Sequence, residues 1–372
     1  MKKIILIKFL LITYFLSAQN ITELKGFVKN IDIDTLIIAQ SHKDLRYNGI
    51  EIPVREGTLF KYLLKHKYVE EYSIVYKSDL KKGVWRPIDF FSKSKTIQFE
   101  LYPRSQYSDN KIIGDSLGEQ KIKYQKLFGK KFSKKGNEIY GKLFESKKDS
   151  DEYKKVKARV DSLNRVALAF QHNYFQNDKS ILGLNEYVYL LKNANQMMIS
   201  HEILKEYQEF YLRKRSDHPL IKRANNLYIA LSKIKTGQQY IDILLIDREN
   251  NTLKLSDLKK KKKYTILDLW APWCGPCIRK SKLLKENYSR FSNNTQIIGV
   301  VGGISETQKA EKAIDRFKYP WKNYLEISDK NKIWEKYGIS NSGGAQFLIN
   351  KEGEILTINP KLEEIIKIVN GI

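Results

Sequence analysis

The feature that most constrains the fold is a seven-residue apolar run, YTILDLW (Tyr264 to Trp270). It gives way within a few residues to a helix that Pro276 is suited to begin. Strand and helix patterns alternate around it. YIDILLID and LKLSDL come before. The strand TQIIGVVG, the amphipathic helix ETQKAEKAIDRF and a short helix around DKNKIWEKYG come after. The strands AQFLIN and EILTIN, joined by the turn KEGE, and the helix LEEIIKIVN close the chain. Strand–helix–strand first, with a hairpin and a helix last, specifies an α/β arrangement on a mixed sheet.

The 372 residues are too many for that unit alone. Between residues 19 and 110 short runs rich in Ile, Val, Tyr and Phe (FVKNIDIDTLIIAQ, LFKYLLKH, YSIVYKS, KTIQFEL) alternate with Asn48-Gly49, Glu56-Gly57 and Lys82-Gly83 turn signals. This is the pattern of a small all-β sandwich. Between 111 and 236 the period becomes helical: Val156, Val160, Leu163, Ala167 and Phe170 recur at three and four, and EILKEYQEFYLRK and IKRANNLYIALSKIK behave alike. Thr236 and Gly237 end this segment, and the α/β domain occupies 237–372.

The formal charge of +25 raises the question of nucleic acid. The lysines are spread along the chain, the Lys259–Lys263 run lies between apolar segments as a solvated turn would, and no nucleic-acid motif accompanies it. Residues 1–18 pair Lys2 and Lys3 with a short apolar run and end on Ser17 and Ala18. That is the order of a secretory signal peptide, so cleavage after Ala18 and a mature protein outside the cytoplasm are expected, with an N-terminal membrane anchor as the alternative that the short apolar run disfavours.

Cys274 and Cys277 are the chain's two cysteines. A structural zinc site needs four Cys or His ligands, and the five histidines all precede residue 220, so no metal is expected. His42 and His66 read as surface or edge residues, and His172, His201 and His218 share no ligand spacing. A disulfide across two residues closes too small a loop to be a useful staple. Redox chemistry remains. Cys274, at the start of a helix, gains from backbone N–H groups and the helix dipole, which favour its thiolate. Cys277, one turn inside and more shielded, can resolve a mixed disulfide. Trp273 offers a flat apolar contact. Asp268, between Leu267 and Leu269, points into apolar surroundings, where a carboxyl has a raised pKa suited to exchanging the Cys277 proton.

WAPWCGPC with the upstream LDLW resembles the active site of thioredoxin-fold oxidoreductases. Residues from about Gln239 to Ile372, with the entry IDILLIDRENNTLKLSDL and the later FLINKEGEIL, resemble the exported TlpA/ResA-like branch with its AhpC/TSA-type domain. The first two regions resemble the β-sandwich and helical segment that precede such domains in Bacteroidota proteins. The resemblance implies Cys274 as nucleophile, Cys277 as resolving thiol and Asp268 as the buried acid. It also implies a substrate surface at Trp273, Gly275, Pro276, Gly343 and Gly344, and no cofactor. The family's cis-proline before the strand QFLIN is here Gly344, so that peptide is expected to be trans. The proline usual within the active-site helix is missing, and Ser281 or its neighbours occupy that stretch.

The resulting expectation is an exported thiol-disulfide oxidoreductase acting on protein thiols and disulfides in the periplasm or cell envelope of a Gram-negative bacterium. Gly-Pro between the cysteines resembles reducing members, with potentials near about −270 mV, fed by a membrane-bound electron donor. Cytochrome c maturation is a pathway by resemblance. The alternatives are a redox-inactive scaffold, or a thiol peroxidase that would draw on Arg279.

Overall fold

The computed structural model describes residues 20–43, 45–148, 150–197, 205–206, 208–210, 217–259, 262–339 and 343–371. The leader pattern, His201 and most of EILKEYQEFYLRK lie outside the described residues. Two compact units are present, the first ending at Lys123 and the second beginning at Tyr124.

The first unit holds two four-stranded sheets. One has the order β4-β1-β7-β8: β1 (Asn20–Val28), β4 (Phe60–His66), β7 (Thr96–Leu101) and β8 (Lys111–Ile113). The other has the order β3-β2-β5-β6: β2 (Ile33–Gln40), β3 (Ile50–Arg55), β5 (Glu71–Tyr76) and β6 (Ile88–Phe91). The alternation of apolar residues sends Leu24, Leu36, Ile38, Ile52, Ile74, Phe90, Ile97 and Phe99 into one shared core, as a sandwich requires. The run FVKNIDIDTLIIAQ is two strands, because Asn30 turns the chain with φ 55°. His66 is buried and not at the surface: its Nε2 is 3.0 Å from Thr22 Oγ1 and its Nδ1 2.9 Å from the Tyr68 carbonyl.

Helices come next, the first of them running through the Lys123–Tyr124 boundary into the second unit. These are α1 (Ser116–Glu145), α2 (Asp151–Phe175), α3 (Ile181–Met197) and α4 (Pro219–Lys233). Ser150 caps α2 by accepting from Tyr153 N–H, and the rings of Tyr124, Phe128, Phe132 and Phe170 pack α1 on α2. Buried His218 caps α4 and accepts from Leu220 N–H.

A seven-stranded mixed sheet follows, of order β10-β9-β13-β12-β11-β14-β15. Its strands are β9 (Leu244–Ile246), β10 (Thr252–Lys254), β11 (Tyr264–Trp270), β12 (Thr295–Ile304), β13 (Asn323–Ile327), β14 (Ala345–Asn350) and β15 (Ile355–Ile358). β11, β12 and β13 are parallel, and β14 and β15 form an antiparallel hairpin against β11. Its helices are α5 (Leu255–Lys259), α6 (Gly275–Glu286), α7 (Thr307–Phe317), α8 (Ile333–Lys336) and α9 (Leu362–Asn370).

The central strand sorts its side chains by the two-residue period. Leu267 and Leu269 share a core with Ile333, Trp334 and Tyr337. Ile266 packs with Leu284 and Ile365, and Trp270 with Ala310, Ala313 and both cysteines, so α6, α7 and α9 cover the other face. This is the thioredoxin fold. Among the described residues no helix is long and apolar enough to cross a membrane.

Candidate active site

The central strand delivers Trp270 fully buried, its indole N–H donating to Asn323 Oδ1 at 2.9 Å and its ring edge-on to Phe317 and Tyr319. The chain then turns, and the Cys274 N–H donates to the Ala271 carbonyl at 3.0 Å. Cys274 is the N-cap residue of α6: it is extended, and its Sγ accepts from the Cys277 N–H at 3.3 Å. Pro276 lies in the first turn, where its missing N–H goes unneeded. A sulfur in this position faces the free N–H groups of the helix start, which favours the thiolate.

Cys274 and Cys277 form a disulfide with Cα atoms 5.3 Å apart. They are 6% and 8% exposed, so Cys277 is not the more shielded of the two. Trp273 is 36% exposed beside them.

Asp268 is 1% exposed on the α6 side of the sheet, but its surroundings are not wholly apolar. Ser281 Oγ donates to its Oδ2 at 2.7 Å, and Gln346 Nε2 donates to its Oδ1 at 3.1 Å. Ser281 Oγ is also 3.1 Å from the Cys277 carbonyl. Burial pushes the Asp268 pKa up to about 6, against the opposing pull of these two hydrogen bonds and of Lys280. Asn359 fixes Gln346: its N–H donates to the Gln346 carbonyl, and its Oδ1 accepts from the Gln346 N–H and the Lys280 ammonium.

Glycines and tryptophans form the rim. Trp273 Nε1 donates to the Gly303 carbonyl at 2.9 Å, and a Cβ on Gly303 (φ +67°) would stand 2.9 Å from that nitrogen. Trp334 Nε1 donates to the Gly343 carbonyl at 2.7 Å. Gly344 lies flush against the end of β11, where a Cβ would collide with the Leu269 carbonyl and Trp270 Cα. Among the described residues no peptide bond is cis. Gly275 is different: a Cβ there would meet Arg279 Nη1 at an ordinary 3.5 Å, so space does not demand glycine. Among the described residues no group of three or more His, Cys, Asp or Glu is arranged to hold a metal ion.

The structure thus brings Cys274, Cys277 and Asp268 to one end of the sheet, with Trp273, Gly275 and Pro276 in the disulfide turn. The Gly343–Gly344 backbone runs beside the strand that leads into that turn. Sequence reasoning gave Ser281 no hydrogen-bonding part and missed Gln346 and Trp334 altogether. The spacing of Ser281 four residues after Cys277, which puts both on one helix face, was a usable signal. Nothing local marked Gln346 or Trp334.

Residues 236–358 match the AhpC/TSA family. The thiol-disulfide oxidoreductase ResA of Bacillus subtilis (strain 168) is 26% identical over 137 residues, covering 36% of this chain and 72% of that protein. ResA of Bacillus thuringiensis (strain Al Hakam) is 26% identical over 127 residues, covering 33% and 69%. The solved thioredoxin domain of a thiol-disulfide oxidoreductase from Bacteroides vulgatus is 26% identical, covering 37% of this chain and 98% of its own, with a TM-score of 0.33.

Proposed function

Because the C-terminal region is a TlpA/ResA-like oxidoreductase domain, we propose that the chain exchanges disulfides with other proteins through Cys274 and Cys277, running in the reducing direction. The observation that carries this reading is the Cys274–Cys277 disulfide at the start of α6, with a buried, hydrogen-bonded Asp268 behind it.

In the reduced chain the Cys274 thiolate attacks one sulfur of a substrate disulfide. A mixed disulfide forms and the other substrate sulfur leaves as a thiolate. Cys277 then gives its proton to the Asp268 carboxylate, attacks Cys274 Sγ and releases the second substrate sulfur. The substrate gains two electrons and, with solvent protons, two thiols; the chain is left with its own disulfide. A donor dithiol reverses these steps on the chain. The leader pattern of residues 1–18 supports export to the cell envelope, where a membrane-bound dithiol protein would supply the electrons and cytochrome c maturation would be one use.

The test is trapping. A Cys277→Ser chain incubated with a disulfide-bearing protein should accumulate a covalent adduct that dithiothreitol releases, and Cys274→Ser should give none. Equal adduct from both variants, or from neither, would remove the assigned roles.

A further inference from the structure

A second group of buried charges lies where α4 packs on α8. Arg223 and Glu335 are each 6% exposed, with Arg223 Nη1 3.5 Å from Glu335 Oε1. Asn226, one turn along α4, donates to Glu335 Oε2 at 3.2 Å. Ala230, another turn on, is buried, and a Cβ on Gly338 would stand 3.3 Å from its Cβ. The same face of α4 therefore grips both α8 and the residues that leave it. Tyr337, between them, donates to the Ile241 carbonyl at 2.6 Å. Charges this deep persist only when paired, so the joint is fixed. A four-residue helix has too few hydrogen bonds to hold its own orientation, and its place is set by what its side chains grip.

Trp334, next to Glu335, contacts the other side. Its ring covers Gly302, where a Cβ would come within 2.6 Å of Cζ3, and its N–H holds the Gly343 carbonyl. Gly303, alongside, is covered by Trp273, the residue before Cys274. Of the rim glycines, Gly303 is exposed and Gly343 has open space where a Cβ would stand, while Gly302 is packed under Trp334 and Gly344 against the end of β11. Two adjacent residues of α8 thus join α4 to the rim of the disulfide site.

We propose that α4 acts on the redox site from behind: Arg223 and Asn226 hold Glu335, which seats the buried Trp334 against Gly302 and the Gly343 carbonyl and so places the Gly343 backbone at the rim to receive a disulfide-bearing protein. Arg223, Asn226 and Glu335 are positioning residues, and the preferred substrate is a polypeptide, not a small disulfide. This rests on the oxidoreductase reading.

The experiment mixes the fully reduced full chain with insulin, or with 2-hydroxyethyl disulfide, and follows tryptophan fluorescence to obtain second-order rate constants. Glu335→Gln should lower the insulin rate roughly tenfold, as the loss of one hydrogen-bonded charge pairing implies, and change the small-disulfide rate far less. Trp334→Phe should lower the insulin rate similarly, and the double variant should lose no more than the stronger single one, because both act through one contact path. Rates that fall in proportion for the two oxidants, or single losses that multiply, overturn the proposal. If Glu335→Gln does not fold, Arg223→Lys, which keeps the charge with a shorter reach, is read the same way. A wild-type chain that reacts with neither oxidant overturns the oxidoreductase reading itself; one that reacts only with the small disulfide overturns the polypeptide preference alone.

Discussion

Ser281 Oγ on α6 stands 2.7 Å from Asp268 Oδ2 on β11, and the same hydroxyl is 3.1 Å from the Cys277 carbonyl. A hydroxyl has one proton to give. With Asp268 ionised, Ser281 donates to the carboxylate. With Asp268 protonated, the carboxyl donates to Ser281, whose own proton turns to the Cys277 carbonyl. The rotor accepts either protonation state without leaving a buried group unpaired.

Ser281→Ala should therefore shift the pH dependence of mixed-disulfide resolution. The lost bond favoured the ionised form, so the Asp268 pKa rises further. A bond to a charged group contributes about 1.5–3 kcal/mol, so the midpoint should move alkaline by about one pH unit or more. Stopped-flow rates from pH 5 to 9 check this, and an unmoved midpoint would contradict the role.

Asp268→Asn should make the oxidised chain more stable at neutral pH. The folded pKa of about 6 lies above the unfolded value, so the folded state holds this proton more tightly. The contribution is fully present below about pH 4 and is lost as pH rises through 6. The buried carboxylate then costs about 3 kcal/mol at pH 7.5, which the neutral amide avoids. Urea unfolding of both chains at pH 4 and pH 7.5 should show an advantage for the amide variant only at the higher pH. The same variant should resolve mixed disulfides more slowly, having lost the proton acceptor.

Gly344→Ala should lower Tm by several degrees. The added methyl meets the Leu269 carbonyl and Trp270 Cα, which are backbone of the central strand and cannot yield as a flexible side chain would. Overpacking of this kind destabilises by about 1–3 kcal/mol. Calorimetry of the oxidised chains decides it. Gly275→Ala, whose Cβ would make only an ordinary 3.5 Å contact with Arg279 Nη1, is the control and should change Tm far less.

Much of this was legible where the cause is local. The strand before the cysteines, the helix after them and the buried Asp268 follow from a short stretch around residues 264–280. The strand NYLEI went unread because its Asn323 and Glu326 break the apolar signal, although both are buried in the fold. His66 looked like an edge residue because its partner Thr22 is 44 positions away. Gln346 reaches Asp268 across 78 positions. The Asn226–Glu335 contact spans 109. Such pairings depend on strand order and helix packing, which no local pattern encodes.

The most direct test of the central claim is the reduction potential of the Cys274–Cys277 pair, measured by equilibrating the full chain in dithiothreitol or glutathione buffers and following tryptophan fluorescence. The account predicts a single reversible two-electron transition near the thioredoxin value of about −270 mV. A transition near about −120 mV would contradict the reducing direction, and no reversible transition would contradict thiol-disulfide exchange altogether.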